Sequence, residues 1–277
     1  MIAPGSFVEV EGLRLHYTEV GEGDPVLLLH GWPTSAYLWR NLMPILGEQN
    51  RAIALDLPGF GHSDKPTDAS YSFRFFDRVL EGFLDQLEIE STGLAVHDLG
   101  GPIGLYWASK HPERLSKIAL LNTLVYARPS MAAIAFVLAA RTPGIRSWLT
   151  SADGLRFAMR LGVSDKGGLS AQTIAAYQEP FGSDDARTAL RKAAYGLHPS
   201  GFKELSGWLK TVEVPVRIVY GEEDRILPDV ARTMRKVVAD VPSPVELTAL
   251  PGCGHFCQED RPEQIARILS EFFRPPA

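Results

Sequence analysis

The sequence predicts an α/β fold, with a mostly parallel central sheet, helices on both faces and an inserted helical cap. Three observations predict it. Short, nearly uninterrupted apolar runs recur at 26–29, 52–55, 94–96, 118–121 and 216–220, as in strands buried on both faces. Helical periodicity lies between most of them, and such alternation implies crossover connections between parallel strands. From 124 to about 210 the strand pattern gives way to helical segments broken by Pro and Gly. The expected organisation is therefore a first part of the core at 1–123, a helical cap at 124–210 and a second part of the core at 211–277.

Each element has its own warrant. Residues 7–10 and 13–18 alternate around Glu11-Gly12, which predicts a hairpin at a sheet edge. The run at 26–29 ends in His30-Gly31-Trp32-Pro33, where Gly31 permits an unusual backbone angle and Pro33 suits a cis bond. Residues 37–46 read as a helix and 52–55 as a strand. A glycine-rich loop from Asp56 to Pro66 follows, in which Asp56 and Asp64 read as acceptors for nearby backbone N–H groups. Residues 73–87 carry an amphipathic helix. Helices are expected at 131–140, 154–161, 171–177 and 184–195. The pattern then gives a strand at 216–220, the turn Gly221-Glu222-Glu223-Asp224, a helix at 230–238, a strand at 245–250, the loop Pro251-Gly252-Cys253-Gly254-His255 and a helix at 263–273.

Bulk composition narrows the function. The chain has 277 residues, 45% hydrophobic and 22% charged, ordinary for a soluble globular protein. Its net charge of -5 argues against nucleic acid or an anionic membrane as the main partner. No basic segment followed by an apolar run opens the sequence, which points to the cytoplasm. Cys253 and Cys257 flank His255, but a structural zinc site needs four ligands and no second cluster supplies them. Neither metal nor organic cofactor is implied. The expected partner is a small apolar organic substrate, and the expected assembly a monomer or homodimer.

The chemistry centres on Leu94-Ala95-Val96-His97-Asp98-Leu99-Gly100-Gly101-Pro102-Ile103-Gly104. A buried strand runs into a helix, with one acid at the bend. A carboxylate there is costly without partners, and the free N–H groups of the following helix supply some. This is the form of a nucleophile elbow. A dinucleotide-binding turn is the poorer reading, since its first glycine would fall on Leu99 and the stretch comes late in the chain. A simple helix N-cap is the other alternative. Trp32, Asp98, Asp224 and His255 all follow strand runs, so a parallel sheet would gather them on one rim.

With these residues in place, the chain resembles an α/β-hydrolase, and within that superfamily the haloalkane dehalogenases and the related epoxide hydrolases. The resemblance spans nearly the whole chain. It rests on His30-Gly31-Trp32-Pro33-Thr34-Ser35, Tyr37 to Asn41, Asp56 to Pro66, His97-Asp98, Tyr177-Gln178-Glu179-Pro180-Phe181 and His255 to Asp260. It implies Asp98 as nucleophile, His255 as general base and Asp224 as the acid orienting it. The backbone N–H groups of Trp32 and Leu99 would form the oxyanion hole.

The leaving group is less well provided for. Haloalkane dehalogenases usually carry Trp directly after the nucleophile; here Leu99 has no side-chain donor. Trp32 and Trp148 are the residues that could rebuild a halide site. Epoxide hydrolases instead activate the ring oxygen with cap tyrosines, for which Tyr126, Tyr177 and Tyr195 are the candidates. Carbon–halogen hydrolysis is the leading expectation and epoxide opening the alternative. A third reading is a non-hydrolytic ligand-binding protein or cofactor-independent oxygenase on the same fold.

Overall fold

The computed structural model describes residues 5–127 and 130–275. The hairpin β1 (Gly5–Val10) and β2 (Leu13–Val20) leads to β3 (Pro25–Leu29), α1 (Met43–Leu46), β4 (Arg51–Leu55), α2 (Phe73–Gln86), β5 (Thr92–Asp98), α3 (Gly100–Lys110) and β6 (Leu115–Thr123). Helices alone follow: α4 (Met131–Arg141), α5 (Ile145–Leu149), α6 (Ala152–Gly162), α7 (Ala171–Gln178), α8 (Asp184–Tyr195) and α9 (Pro199–Trp208). The chain then returns to the sheet with β7 (Val216–Gly221), α10 (Val230–Asp240), β8 (Val245–Leu250), α11 (Cys257–Asp260) and α12 (Pro262–Phe273).

Among the described residues, eight strands form one sheet in the order β1-β2-β4-β3-β5-β6-β7-β8. Strand β2 pairs antiparallel with β1 and β4, and β3 to β8 are parallel. The continuous apolar runs follow from burial on both sides. Along β3, Leu27 and Leu29 enter one core while Val26 and Leu28 enter the other, because successive side chains point to opposite faces. Strands β4 and β5 divide likewise: Ile53, Leu55, Leu94 and Val96 go to the first core, and Ala52, Ala54 and Ala95 to the second. Each fully buried leucine contributes about 1.5–3 kcal/mol.

Helix α2 shows why the amphipathic reading works. Ser72 accepts from the Phe75 N–H and starts it, and Phe73, Phe76, Leu80 and Phe83 bury one stripe. The expected helix at 37–46 is instead a short 3-10 turn, Ala36–Trp39, followed by the separate α1. Pro44 has no N–H to give the carbonyl four residues back, so one continuous helix is excluded. Helices α5 and α9 are additions to the expected set; α5 has only five residues, too few for a periodic signal.

The topology places the site. The connection from β3 runs to β4 on one side, while its other neighbour, β5, begins the run toward β8. Ligands in open parallel sheets bind at such a reversal, beyond the carboxyl ends of the strands. Trp32 lies three residues beyond the end of β3, and Asp98 is the last residue of β5.

Candidate active site

Asp98 sits where β5 turns into α3, with φ of 48°, in the left-handed region that non-glycine residues rarely occupy. Two contacts hold it there. Thr123 Oγ1, at the end of β6, donates to the Asp98 carbonyl at 2.6 Å. Gly101 lets α3 approach so closely that a Cβ on it would lie 1.7 Å from that same Thr123 Oγ1. Gly31 plays the matching part on β3, since a Cβ there would fall 2.3 Å from Asp98 Cβ. The glycines are thus conditions for packing the two loops together.

The two carboxylate oxygens of Asp98 have different neighbours. Oδ1 accepts from the Trp32 backbone N–H at 2.8 Å, and the Leu99 N–H also favours the charged form. Oδ2 faces His255 Nε2 at 3.5 Å, an ion-pair distance. On the far side of the ring, His255 Nδ1 lies 2.9 Å from Asp224 Oδ2. His255 is fully buried and Asp98 is 7% exposed. The Trp32–Pro33 bond is cis, and the loop is braced by His30. The His30 ring accepts from the Leu57 N–H through Nε2 at 3.1 Å, so its Nδ1–H donates to the Gly31 carbonyl at 2.9 Å.

The electrostatics follow from this arrangement. Burial alone would strip the proton from His255. The Asp224 carboxylate, with Asp98 behind it, outweighs burial and raises the imidazole to about 10. Burial alone would likewise protonate Asp98 and Asp224, but His255 holds both below the usual carboxylate range. At neutral pH the group is therefore a cation between two carboxylates. Beside it, His97 is pushed down to about 3 by burial and by the His255 charge. His97 is thus neutral, and its Nε2–H donates to the His255 carbonyl at 3.0 Å.

Residues 24–262 match the family model described as alpha/beta hydrolase fold. The chain belongs to this α/β-hydrolase family. Over 94% of its length it is 31% identical to a haloalkane dehalogenase of Psychrobacter cryohalolentis, covering 87% of that protein. It is 30% identical to the uncharacterized hydrolase YugF of Bacillus subtilis over 99% of both chains. Among solved structures it is similar to the haloalkane dehalogenase DatA from Agrobacterium tumefaciens, with a TM-score of 0.84, 26% identity and coverage of 97% and 95%. It is a haloalkane dehalogenase-like hydrolase.

Several residues of this α/β-hydrolase were not singled out from the sequence. Asn122, next to last in β6, has φ of 37°; it donates to Asp224 Oδ2 at 2.8 Å and accepts from the Gly221 N–H at 3.1 Å. A non-glycine residue at a strand end has no periodic signal, so only its position beside the later acid could have marked it. Asp260 accepts from the N–H groups of Gly254, Ser164 and Asp165, fastening the His255 loop to the chain beyond α6. Asp56 and Asp64 hold loop backbone as expected, with bonds from Ala36, His62 and Arg14.

The expected leaving-group residues need correction. The Trp32 indole N–H donates to the Leu190 carbonyl of α8 at 3.2 Å, so its side-chain donor is already engaged. Trp148 is 46% exposed and packs on Phe157, itself 53% exposed; it stands with the surface residues of the helical segment. The Tyr126 hydroxyl donates to Asp240 at 2.9 Å, under Lys236. Tyr177 is buried in the opposite core, bound to Glu259 and approached by Arg40. Tyr195 lies half-buried at the end of α8, with the Arg141 guanidinium 4.9 Å over its ring. Among the described residues its hydroxyl has no hydrogen-bond partner. Trp32, whose backbone N–H binds Asp98, packs against Phe136, and it shares one large apolar cluster with Leu99, Leu155 and Leu190.

Proposed function

We propose that this protein is a hydrolase whose nucleophile is Asp98 and whose substrates are small haloalkanes. The observation carrying this reading is the division of labour at the Asp98 carboxylate, with one oxygen on backbone N–H groups and the other facing a histidine that is held by an acid. Asp98 Oδ2 attacks an sp3 carbon. The carbon–halogen bond breaks with its electron pair leaving on the halide, and an alkyl ester forms on the enzyme. Water then attacks Asp98 Cγ while His255 Nε2 takes its proton. The oxyanion develops on Oδ1, which already accepts from the Trp32 N–H, with the Leu99 N–H as the second donor. Collapse releases the alcohol and restores the carboxylate.

The charge pattern supports this sequence of steps. In the resting enzyme His255 holds a proton between two carboxylates. Esterification removes the Asp98 charge, one of the two that retain this proton, and so lowers the affinity of Nε2 for it. Once the ester has formed, Nε2 gives up this proton to solvent and is free to accept one from the attacking water. In this reading residues 124–210 act as a cap that keeps the ester in an apolar enclosure.

Epoxide opening remains the second reading, favoured by one feature: neither Leu99 nor the engaged Trp32 indole offers a free side-chain donor to a halide, whereas the Tyr195 hydroxyl is available to an epoxide oxygen. Intact mass after incubating His255→Gln separates the readings. An adduct of one alkyl group with halide released supports the first. An adduct heavier by a whole epoxide moves the protein to the second. No adduct from either substrate class overturns both.

A further inference from the structure

Helix α4 is unusual for a helix at a protein surface. Of its eleven residues only Arg141 is polar, yet only Ala140 is buried. Helices apolar on all sides are normally covered on all sides. The inner side is covered, since Phe136 packs edge-on against Trp32 with ring centroids 4.7 Å apart. The outer side carries Met131, Ile134 and Leu138, which are 79, 39 and 61% exposed. The neighbouring α5 and α6 extend this surface with Ile145, Trp148 and Phe157, and the last two rings are 5.6 Å apart. Scattered apolar residues need no explanation at a surface; a continuous group does.

The charges around this face differ in sign from the rest of the molecule. Residues 131–160 hold Arg141, Arg146, Arg156 and Arg160 against the single acid Asp153, a net charge of +3, while the remainder of the chain carries -8. All four arginines are exposed. The overall charge of -5 points away from anionic surfaces, but screening confines each patch to partners within about 10 Å, so the local sign governs contact.

We propose that α4, α5 and α6 form a docking face for an anionic phospholipid surface, with the helices lying in the interfacial plane. The apolar side chains would enter the acyl boundary, Trp148 would sit at headgroup level and the arginines would meet the phosphates. A second copy of the chain fits less well, because a two-fold contact would set four arginines against four. The docking does not depend on the reaction assigned to Asp98. Its consequence for the site is positional, since Phe136 connects the docked helix to Trp32.

The test is vesicle flotation of the full chain, with phosphatidylcholine alone and with equal parts phosphatidylcholine and phosphatidylglycerol. Binding is expected to the mixed vesicles and to fall as salt is raised. Arg146→Glu with Arg160→Glu should weaken it more than tenfold, at about fivefold for each arginine lost near the surface. Leu138→Ser with Phe157→Ser should weaken it comparably with the arginines intact. Unchanged circular dichroism and thermal midpoint establish that the variants are folded. Equal binding to both vesicle types, or none to the mixed ones, overturns the proposal. So does a wild-type dimer in sedimentation velocity that Leu138→Asp dissolves, which would assign the face to a second copy.

Discussion

The strand-end loops and the helical segment between β6 and β7 are built on different terms. At the strand ends the candidate groups are positioned by backbone and buried polar contacts, while His255 Nε2 faces Asp98 Oδ2 at 3.5 Å without a hydrogen bond. Asp224 alone accepts from Asn122, from His255 and from the Ile226 and Leu227 N–H groups. The helical segment meets the site mainly through apolar packing, such as Phe136 on Trp32, with one hydrogen bond from Trp32 to Leu190. The lesson is that the candidate triad is positioned by directional contacts, whereas the helical segment over it is fitted mainly by van der Waals packing, which tolerates volume-conserving change.

This contrast can be broken most severely at the nucleophile. Asp98→Ala should lower turnover about 10⁴-fold or more while the protein stays folded, read from product formation and circular dichroism. Asn122→Leu tests whether the supporting shell matters nearly as much. Losing a hydrogen bond to a buried carboxylate costs about 1.5–3 kcal/mol, so turnover should fall roughly ten- to a hundredfold, with substrate binding little changed. Gly101→Ala attacks the packing beneath the elbow; the clash with Thr123 should destabilise by about 1–3 kcal/mol, visible as a lower thermal midpoint.

Smaller effects sharpen the same comparison. Because His255 is raised from 6.5 to about 10 in the fold, its proton stabilises the protein fully below about 6.5, and this contribution is lost as pH rises toward about 10. The midpoint of the wild type should therefore fall over that alkaline range, and His255→Gln should flatten the profile. Least affected should be Trp148→Ala. With its ring half exposed, it should change kcat with a small haloalkane less than twofold, and a large loss would return Trp148 to the leaving-group site.

The two regions also differ in how far the sequence reveals them. Strand positions were legible because β3 to β7 are buried on both faces, which leaves an apolar run that little else produces. Asp98 and Asp224 were legible because each follows such a run, whereas His255 follows the mixed strand β8 and was marked by its glycine-flanked loop and the family resemblance. Within the helical segment the helices at 131, 154, 171 and 184 were also visible, but not the fate of their side chains. Tyr126 and Tyr177 stand beside Tyr195 as candidates in the sequence, and only the structure shows Asp240 and Glu259, distant in sequence, engaging them. The Trp32 indole was misjudged for the same reason, because its acceptor is a backbone carbonyl 158 residues away. Hydrogen bonds across long separations leave no periodic trace.

The chain order Asp98, Asp224, His255 has a bearing on synthesis. The nucleophile and the loop that binds its Oδ1 emerge from the ribosome well before the histidine and the acid that complete the group. During translation, Asp98 therefore exists without the cation that keeps it ionised in a buried position. A nascent chain that has only reached β6 holds Asp98 and the Trp32 loop but neither Asp224 nor His255. In the reading proposed above, the Asp98–His255–Asp224 group is therefore complete only once β7, β8 and the loop after β8 have joined the sheet.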